Sequence, residues 1–142
     1  MATVRQTDLT VRSVITHLDA SGRPEGEDEI TELRVGASVS SEADGTVRLF
    51  YYEDAEGDRT VCSVTVTPTA VMVQRRGASV ADMRFSDEEC RGQYAVGPYA
   101  FPMVIRTRRI RQTLVNGRGT VDVFYDMELG ADSRRVHLRM TL

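Results

Sequence analysis

The chain contains no lysine and no tryptophan, and all 18 of its basic residues are arginine. Such a complete absence of lysine indicates the codon usage of a GC-rich genome. Where arginine is the only strong cation, its occurrence at a position is not in itself a sign of phosphate or carboxylate recognition. The four arginines at positions 106, 108, 109 and 111 must therefore be judged by where the fold places them.

Cysteine and long apolar runs are also scarce. The two cysteines, Cys62 and Cys90, are too few and too far apart for a disulfide framework or a zinc motif. No window approaches 18 apolar residues, and the N-terminal segment lacks the apolar centre of a signal peptide. We therefore expect a cytoplasmic protein with reduced thiols. The net charge of −3 predicts neither nucleic acid nor an anionic membrane as a partner.

The residue patterns that usually carry catalysis are missing from the sequence. It contains no HExxH, no phosphate-binding glycine-rich loop and no nucleophile elbow. His17 and His137 each stand alone in an alternating segment, which is more typical of packed or exposed histidines than of metal ligands. The alternating row Asp122, Asp126 and Glu128 is better explained by surface salt bridges than by a cation site. We expect no enzyme activity, no metal site and no cofactor.

The dominant hydrophobic period is two, which is typical of β-strands. Strand-like runs such as "VRLFYYE" and "TVCSVTVT" are separated by turn signals such as "ADGT" and "AEGD" at intervals of about 8–12 residues. This spacing predicts an all-β sandwich or barrel with little or no helix, and the length of 142 residues fits a single domain covering 1–142. Residues 1–7 are expected to be flexible, and the loop 19–28, rich in glycine and acidic residues, to be mobile.

The dipeptide Asn116-Gly117 between two strand-like runs is a strong hairpin signal. A two-residue turn there makes Val115 and Arg118 partners. Counting outward, the turn predicts the pairs Arg111–Asp122, Arg109–Phe124, Thr107–Asp126, Gln112–Val121 and Ile110–Val123. In this register Ile110, Val121, Val123 and Tyr125 point inward, whereas Arg109, Arg111, Asp122 and Asp126 point outward and form cross-strand charge pairs such as Arg111–Asp122.

The inward parity changes within the arginine-rich strand. Phe101, Met103 and Ile105 are apolar at odd positions, whereas Ile110 and Leu114 are apolar at even positions. A strand changes parity only through a bulge or a break, which we place between residues 105 and 110. Arg106 or Arg108 is then either turned inward, to pair with an internal group or to hold an acidic ligand, or left outside.

Four blocks of the chain resemble the YwiB-like family of uncharacterised bacterial proteins. The blocks are "YYED" at 51–54, "RRGASVADMRF" at 75–85, "YAFPMVIRTRRI" at 99–110 and "VDVFYDMELG" at 121–130. The resemblance implies a closed, mainly antiparallel up-and-down barrel, calycin-like and related in shape to lipocalins; the sequence itself offers about 8–10 strands. No activity and no catalytic residue come with it. Without tryptophan, the chain also lacks the Gly-x-Trp signature of true lipocalins.

Two functions are compatible with these observations. The first is a non-enzymatic barrel that binds a small apolar or anionic ligand in its interior. Its candidate lining residues are Leu33, Val35, Tyr51, Cys62, Met72, Phe101, Met103, Arg106, Arg108 and Tyr125. Among them, Arg106, Arg108, Tyr125, Tyr51, Phe101 and Met103 are the predicted ligand-binding residues. The alternative is a protein-interaction or homodimerisation module in which the barrel is only a scaffold, so both monomer and homodimer remain open.

Overall fold

The computed structural model describes residues 3–55 and 57–142, and within them it contains ten β-strands and no helix. The strands are β1 Thr3–Leu18, β2 Glu29–Ser41, β3 Val47–Ala55, β4 Asp58–Val66, β5 Val71–Gly77, β6 Ser79–Phe85, β7 Cys90–Val96, β8 Tyr99–Gln112, β9 Thr120–Leu129 and β10 Asp132–Thr141.

Each strand pairs antiparallel with the next strand along the chain, and β1 pairs with β10 to close the barrel. This closing ladder runs from Thr10–Thr141 to Leu18–Ser133. The predicted all-β, closed up-and-down barrel of 8–10 strands with little or no helix is therefore confirmed.

The period of two becomes an inside and an outside because alternate side chains of a strand point to opposite faces. Side chains that face the interior have almost no solvent exposure. Examples that are at most 2% exposed are Leu9, Val39, Leu49, Val64 and Val123. Their sequence neighbours on the same strands are mostly polar and lie on the outer face.

The N-terminal segment belongs to β1 from Thr3 onward, where Thr3 pairs with Ser41 and Thr7 with Ala37 of β2. The flexibility of residues 1–7 stays a prediction. Backbone pairing satisfies donors and acceptors that a free terminus would leave to water. Met1 and Ala2 lie outside the described residues. In the loop 19–28, the amide of Asp19 bonds the carbonyl of Arg23 and Leu18 bridges to Pro24; its mobility stays a prediction.

The hairpin between β8 and β9 has the predicted turn. Asn116 and Gly117 have φ of 54° and 72°, as a two-residue turn with two left-handed positions requires. Val115 bridges to Arg118, and four predicted pairs are confirmed: Arg111–Asp122, Arg109–Phe124, Gln112–Val121 and Ile110–Val123.

The predicted parity change is a β-bulge at Thr107–Arg109. Arg108 has no partner there, so Thr107 pairs with Tyr125 and Arg106 with Asp126. The predicted pair Thr107–Asp126 is therefore wrong by one residue, because the count from the turn did not include the bulge.

The outer face of β9 has the predicted carboxylate row, but one predicted ion pair is different. Asp126 pairs with Arg135 and Glu128 with Arg106, as expected for surface salt bridges. Asp122 does not pair with Arg111 but with His137, whose Nε2 lies 2.7 Å from its Oδ1, and with Arg139 at 3.4 Å.

His137 is a packed histidine, one of the two situations expected for it, although the sequence did not show its partners. Besides its contact with Asp122, its ring stacks on Phe124 at a centroid distance of 4.2 Å. Asp122 is buried, which the alternating pattern alone did not predict.

Two neighbouring pairs of strands separate over much of their length. β2 and β3 pair only between Ser38–Ser41 and Val47–Phe50. Residues 29–37 of β2 and 51–55 of β3 are therefore not paired with each other. β6 and β7 pair only at Ser79–Val96 and Val80–Ala95. Because the barrel is otherwise continuously paired, these two gaps are where its interior or its strand edges are accessible from the side.

Gly77, at the end of β5, lies too close to the backbone of β4 to be replaced by a residue with a side chain. Its φ is 147°, and a Cβ there would lie 2.1 Å from the carbonyl oxygen of Arg59. We expect Gly77→Ala to lower the free energy of unfolding by about 1–3 kcal/mol, because both the backbone conformation and the backbone contact are incompatible with a side chain.

Gly36 in the interior of β2 is the matched control, since a Cβ there meets nothing within 4 Å and its φ is not positive. Gly36→Ala should stabilise the protein by roughly 0.5 kcal/mol, because glycine loses more backbone entropy on folding than alanine. Urea unfolding followed by circular dichroism measures both; equal stability of Gly77→Ala and the parent protein contradicts the prediction.

Candidate functional site

The barrel interior contains a cavity of about 530 Å³. It lies toward the end that carries the β1–β2, β3–β4, β5–β6, β7–β8 and β9–β10 hairpins, because its lining includes Ile15, Arg75, Leu129 and Arg134, which are close to those turns. Most of the wall is apolar. Its larger apolar side chains are Leu33, Val64, Val73, Met83, Phe85, Met127, Val136, Leu138 and Met140. We call this space the barrel cavity.

One group of polar side chains in the barrel cavity is centred on Arg75. Arg75 of β5 holds Glu53 of β3 through two hydrogen bonds of 3.1 Å, one from each terminal nitrogen. The Nε of Arg75 donates to Ser79 at 2.8 Å, and one terminal nitrogen lies 3.8 Å from the sulfur of Cys62. A two-pronged arginine–carboxylate pair of this kind fixes both side chains in orientation.

The Arg75 guanidinium is held in its charged form in spite of its surroundings. Burial opposes the charge, but the hydrogen bonds to Glu53 and the electrostatic influence of Tyr94, Glu53 and Cys62 together outweigh burial and raise the pKa of Arg75 above that of an ordinary arginine. The guanidinium therefore keeps its positive charge inside the barrel.

Two tyrosines at the same level are shielded from water. Burial raises the pKa of Tyr125 to about 12, and the neighbouring Tyr94 adds to the shift while Arg134 and Arg75 oppose it. Burial also raises the pKa of Tyr51, which is further affected by Cys62 beside it. The ring of Tyr125 packs on Phe85 at a centroid distance of 4.6 Å. Both phenols therefore stay neutral and can donate a hydrogen bond into the cavity.

Arg134 is a charged group of the cavity with unused hydrogen-bonding capacity. It points inward because it pairs with Met127, whose side chain also lines the cavity. One terminal nitrogen lies 3.6 Å from Asp132, which is longer than a hydrogen bond. Its Nε is buried and has no hydrogen-bond partner among the residues that the structure describes. A buried donor without a partner loses its water without compensation.

The barrel cavity reaches the surface between β2 and β3. Glu32 and Asp54 flank the unpaired stretch of these strands, and both line the cavity. Each of these carboxylates has its own arginine at 2.9 Å, Arg34 for Glu32 and Arg59 for Asp54. The opening is thus bordered by charges that are already neutralised.

Three of the ten candidate lining residues from the sequence line the cavity: Leu33, Tyr51 and Tyr125. Val35, Cys62 and Met103 belong to the surrounding core rather than to the lining, and Cys62 and Met103 are fully buried there. Met72 and Phe101 are exposed and do not line it. Phe101 has the inward parity, but it lies at the rim beside Gly130 of the β9–β10 turn.

The two arginines proposed for the interior are both outside it. Arg106 is exposed and bridges Glu89 at 3.0 Å and Glu128 at 3.2 Å. Arg108 is the unpaired residue of the bulge and is exposed. Of the alternatives that the sequence left open, the outward orientation is correct for both, because the bulge changes the parity after them without turning either side chain inward.

The interior arginines, Arg75 and Arg134, were missed although the sequence contained a signal for each. Arg75 continues the inward series Val71 and Val73, and Arg134 precedes the inward series Val136, Leu138 and Met140. The alternation of β5 and of β10 is therefore sufficient to indicate an inward orientation for both arginines.

Among the described residues there is no group of three or more histidine, cysteine, aspartate or glutamate side chains that could hold a metal ion. The same part of the chain contains no helix of the length and apolar character that crossing a membrane requires.

Comparison with known proteins identifies the family. A search of the curated proteins gives no match. Among solved structures, a crystal structure of the ywiB protein from Bacillus subtilis superposes with a TM-score of 0.73 at 21% sequence identity, covering 96% of this chain and 92% of that one. At this identity the likeness is one of fold. A family model described as a domain of unknown function matches residues 16–140. Because this match spans most of the sequence, the chain belongs to the DUF1934 family, and the predicted kinship with uncharacterised YwiB-like bacterial proteins is confirmed.

Proposed function

We propose that this protein is a non-enzymatic binding protein that holds a small, partly apolar, anionic molecule in the barrel cavity. The observation that carries the proposal is the Arg134 guanidinium, which faces the cavity with a buried, unpartnered Nε. A carboxylate or similar anion beside it would satisfy that donor with a charge-assisted hydrogen bond. We further propose that the protein acts in the cytoplasm of a bacterium and needs no cofactor.

The charge balance of the cavity supports an anionic rather than a cationic ligand. The three lining carboxylates, Glu32, Glu53 and Asp54, each have an arginine within 3.1 Å. Arg134 is the remaining charge, and its nearest carboxylate, Asp132, is largely exposed. A bound cation would have to compete with these arginines for their carboxylates, whereas an anion finds Arg134 already available.

The size and lining of the cavity support a ligand with an apolar body. Ligand pockets typically measure about 300–1,000 Å³ and have mostly apolar walls with few polar groups. Eight strands already make a barrel wide enough for one small ligand, and diameter grows with strand number. The neutral phenols of Tyr51 and Tyr125 stand near the charged groups and can donate to further oxygen atoms of the ligand.

Catalysis is not part of this proposal because the cavity offers no group suited to it. General acid–base catalysis needs a group that titrates near the working pH. The pKa shifts of Tyr51 and Tyr125 move these phenols away from neutrality, and burial raises the pKa of the Cys62 thiol as well. Arg75 and Glu53 neutralise each other.

An interaction or homodimerisation module remains the second candidate. One observation favours it: Phe50 and Tyr52 on β3 lie exposed on the outer face, with their rings edge to face at 5.3 Å, and Met72 on β5 is exposed as well. Light scattering coupled to size exclusion tests it. A dimer that Phe50→Ser and Tyr52→Ser convert to monomer would support this function. A monomer at millimolar concentration would exclude the homodimer.

The ligand itself is the first thing to look for. We expect native mass spectra of the protein purified from its host to show an adduct that denaturation releases. The expected loss of binding in Arg134→Gln is about 10–100-fold, because a hydrogen bond to a charged group contributes about 1.5–3 kcal/mol. The fluorescent anion 1-anilinonaphthalene-8-sulfonate serves as the probe for quantitative comparison of variants.

Arg135→Gln is the matched control, since Arg135 is next in sequence but faces outward and pairs with Asp126 at 2.9 Å. This variant should bind the probe as the parent protein does. Equal binding by both variants, or the absence of any adduct and of any probe binding, would contradict the proposed function.

The shielded tyrosines make a second prediction, for alkaline pH. The chain has five tyrosines. In an absorbance titration at 295 nm, we expect the phenols of Tyr51 and Tyr125 to ionise last, with Tyr125 near pH 12. Their pKa values in the unfolded chain are about 10. Their contribution to stability is therefore complete below pH 10 and is lost as pH rises toward the folded-state values.

Tyr125→Phe should remove one late-titrating group and flatten the decrease of the unfolding free energy above pH 10. The variant keeps the ring contact with Phe85, so its fold is retained. A titration in which all five phenols ionise together near pH 10 while the protein is still folded would show that the barrel cavity is open to water.

A further inference from the structure

A second concave site lies beside the bulge of β8, toward the end of the barrel opposite the barrel cavity. It has a volume of about 810 Å³ and is bordered by Thr107, Arg108 and Arg109 of the bulge and by Arg84 near the end of β6. The β4–β5 and β6–β7 loops complete it. We call it the bulge groove. It is separate from the barrel cavity, with which it shares no lining residue.

The bulge groove exists because β7 is too short to fill the space between β6 and β8. The pairing of β7 with β8 ends at Cys90–Ile105, so β8 from Arg106 onward has no partner on that side. β6 pairs with β7 only at Ser79 and Val80, so residues 81–85 of β6 lack a partner on the side that faces β7. The groove therefore has a rigid β-strand on each side, and the Thr107–Arg109 bulge faces into it.

The bulge groove carries a concentrated and unneutralised positive charge. Arg84, Arg108 and Arg109 line it, and none of them forms an ion pair with a carboxylate of residues 3–55 or 57–142. Asp87 is the one carboxylate in the lining. The contrast with Arg106 is informative: two residues before Arg108, it is held by both Glu89 and Glu128. Two of the three β8 arginines that have no ion pair among the described residues, Arg108 and Arg109, line the groove, and Arg84 of β6 adds a third guanidinium.

The bulge explains how consecutive arginines come to line one groove. In a regular strand, Arg108 and Arg109 would point to opposite faces. A bulge sets two residues against one partner and re-aims their side chains. Here Arg108 is the extra residue between the pairs Thr107–Tyr125 and Arg109–Phe124. The same distortion leaves the Oγ1 of Thr107 buried and without a hydrogen-bond partner among the described residues.

We propose that the bulge groove is a binding site for a small phosphate monoester. Three guanidinium groups and one carboxylate leave an excess of two positive charges, which matches a phosphate dianion. The planar guanidinium of arginine matches the geometry of phosphate and binds two of its oxygens at once. The groove is far larger than a phosphate ion, and Pro68, Ala70 and Ile110 supply apolar contacts for the organic part of the ester.

A titration followed by ¹H–¹⁵N NMR tests this proposal on the whole protein. Phenyl phosphate and inorganic phosphate are the two probes, at an ionic strength held constant with sodium chloride. We expect saturable shifts of the amide signals of Ser86 and of residues 107–110, and at least fivefold tighter binding of phenyl phosphate. The same spectra report whether each variant is folded.

Arg108→Gln and Arg84→Gln should each weaken binding of phenyl phosphate about tenfold or more. Arg111→Gln is the matched control, because Arg111 is exposed on the same strand and forms no ion pair, yet does not line the groove. It should change the affinity less than twofold.

Three results would overturn the proposal. One is the absence of saturable shifts up to about 10 mM probe. Another is an equal loss of binding in Arg111→Gln, which would mean that phosphate acts only as a general counterion of the arginines. The third is equal affinity for the two probes, which would show that the groove does not recognise the organic part of a phosphate monoester. None of these results bears on the barrel cavity, which shares no residue with the groove.

Discussion

The pairing of β1 with β10 is the constraint on which the rest of the molecule depends. Without it, the ten strands would form an open sheet with two long unpaired edges, a form prone to aggregation. With it, each strand has one inner and one outer face, and the period of two in the sequence becomes a division between an interior and a solvated surface. A closed interior is also what makes a buried charge costly, so each polar side chain inside has to be accounted for.

The two interior arginines differ in how far their hydrogen bonds offset the cost of burial. Arg75 is matched by Glu53 through two hydrogen bonds, and Ser79 takes a third. Such a pair satisfies itself and has little left for a ligand. Arg134 sits at the same end of the barrel, but Asp132 is too distant to bond it well, and its Nε has no partner. In physical terms, the hydrogen bonds of Arg75 are satisfied within the barrel, whereas those of Arg134 are incompletely satisfied by the described residues.

The fold was largely predictable from the sequence, because both the alternation and the Asn116-Gly117 turn act locally. The register near the turn follows by counting, and the count holds as far as Arg109–Phe124. It fails beyond that point, because the bulge is a tertiary compromise between two inward sets of opposite parity, Met103 with Ile105 and Ile110 with Gln112. The sequence showed that such a compromise must occur. It did not show which residue would lose its partner.

The site was less predictable for a related reason. The arginines that cluster along the sequence favoured Arg106 and Arg108 as interior residues, but residues that are close in sequence need not face the same cavity. Arg75 and Arg134 are remote in sequence, and the closed barrel brings both to the lining of one cavity. The short pairing of β6 with β7, which opens the bulge groove, has no local signal either, because it depends on where β7 ends relative to two other strands. A single strand distortion thus has two consequences of opposite kind. It keeps Arg106 and Arg108 out of the interior, and it places Arg108 and Arg109 at a strand gap, where both are exposed to solvent.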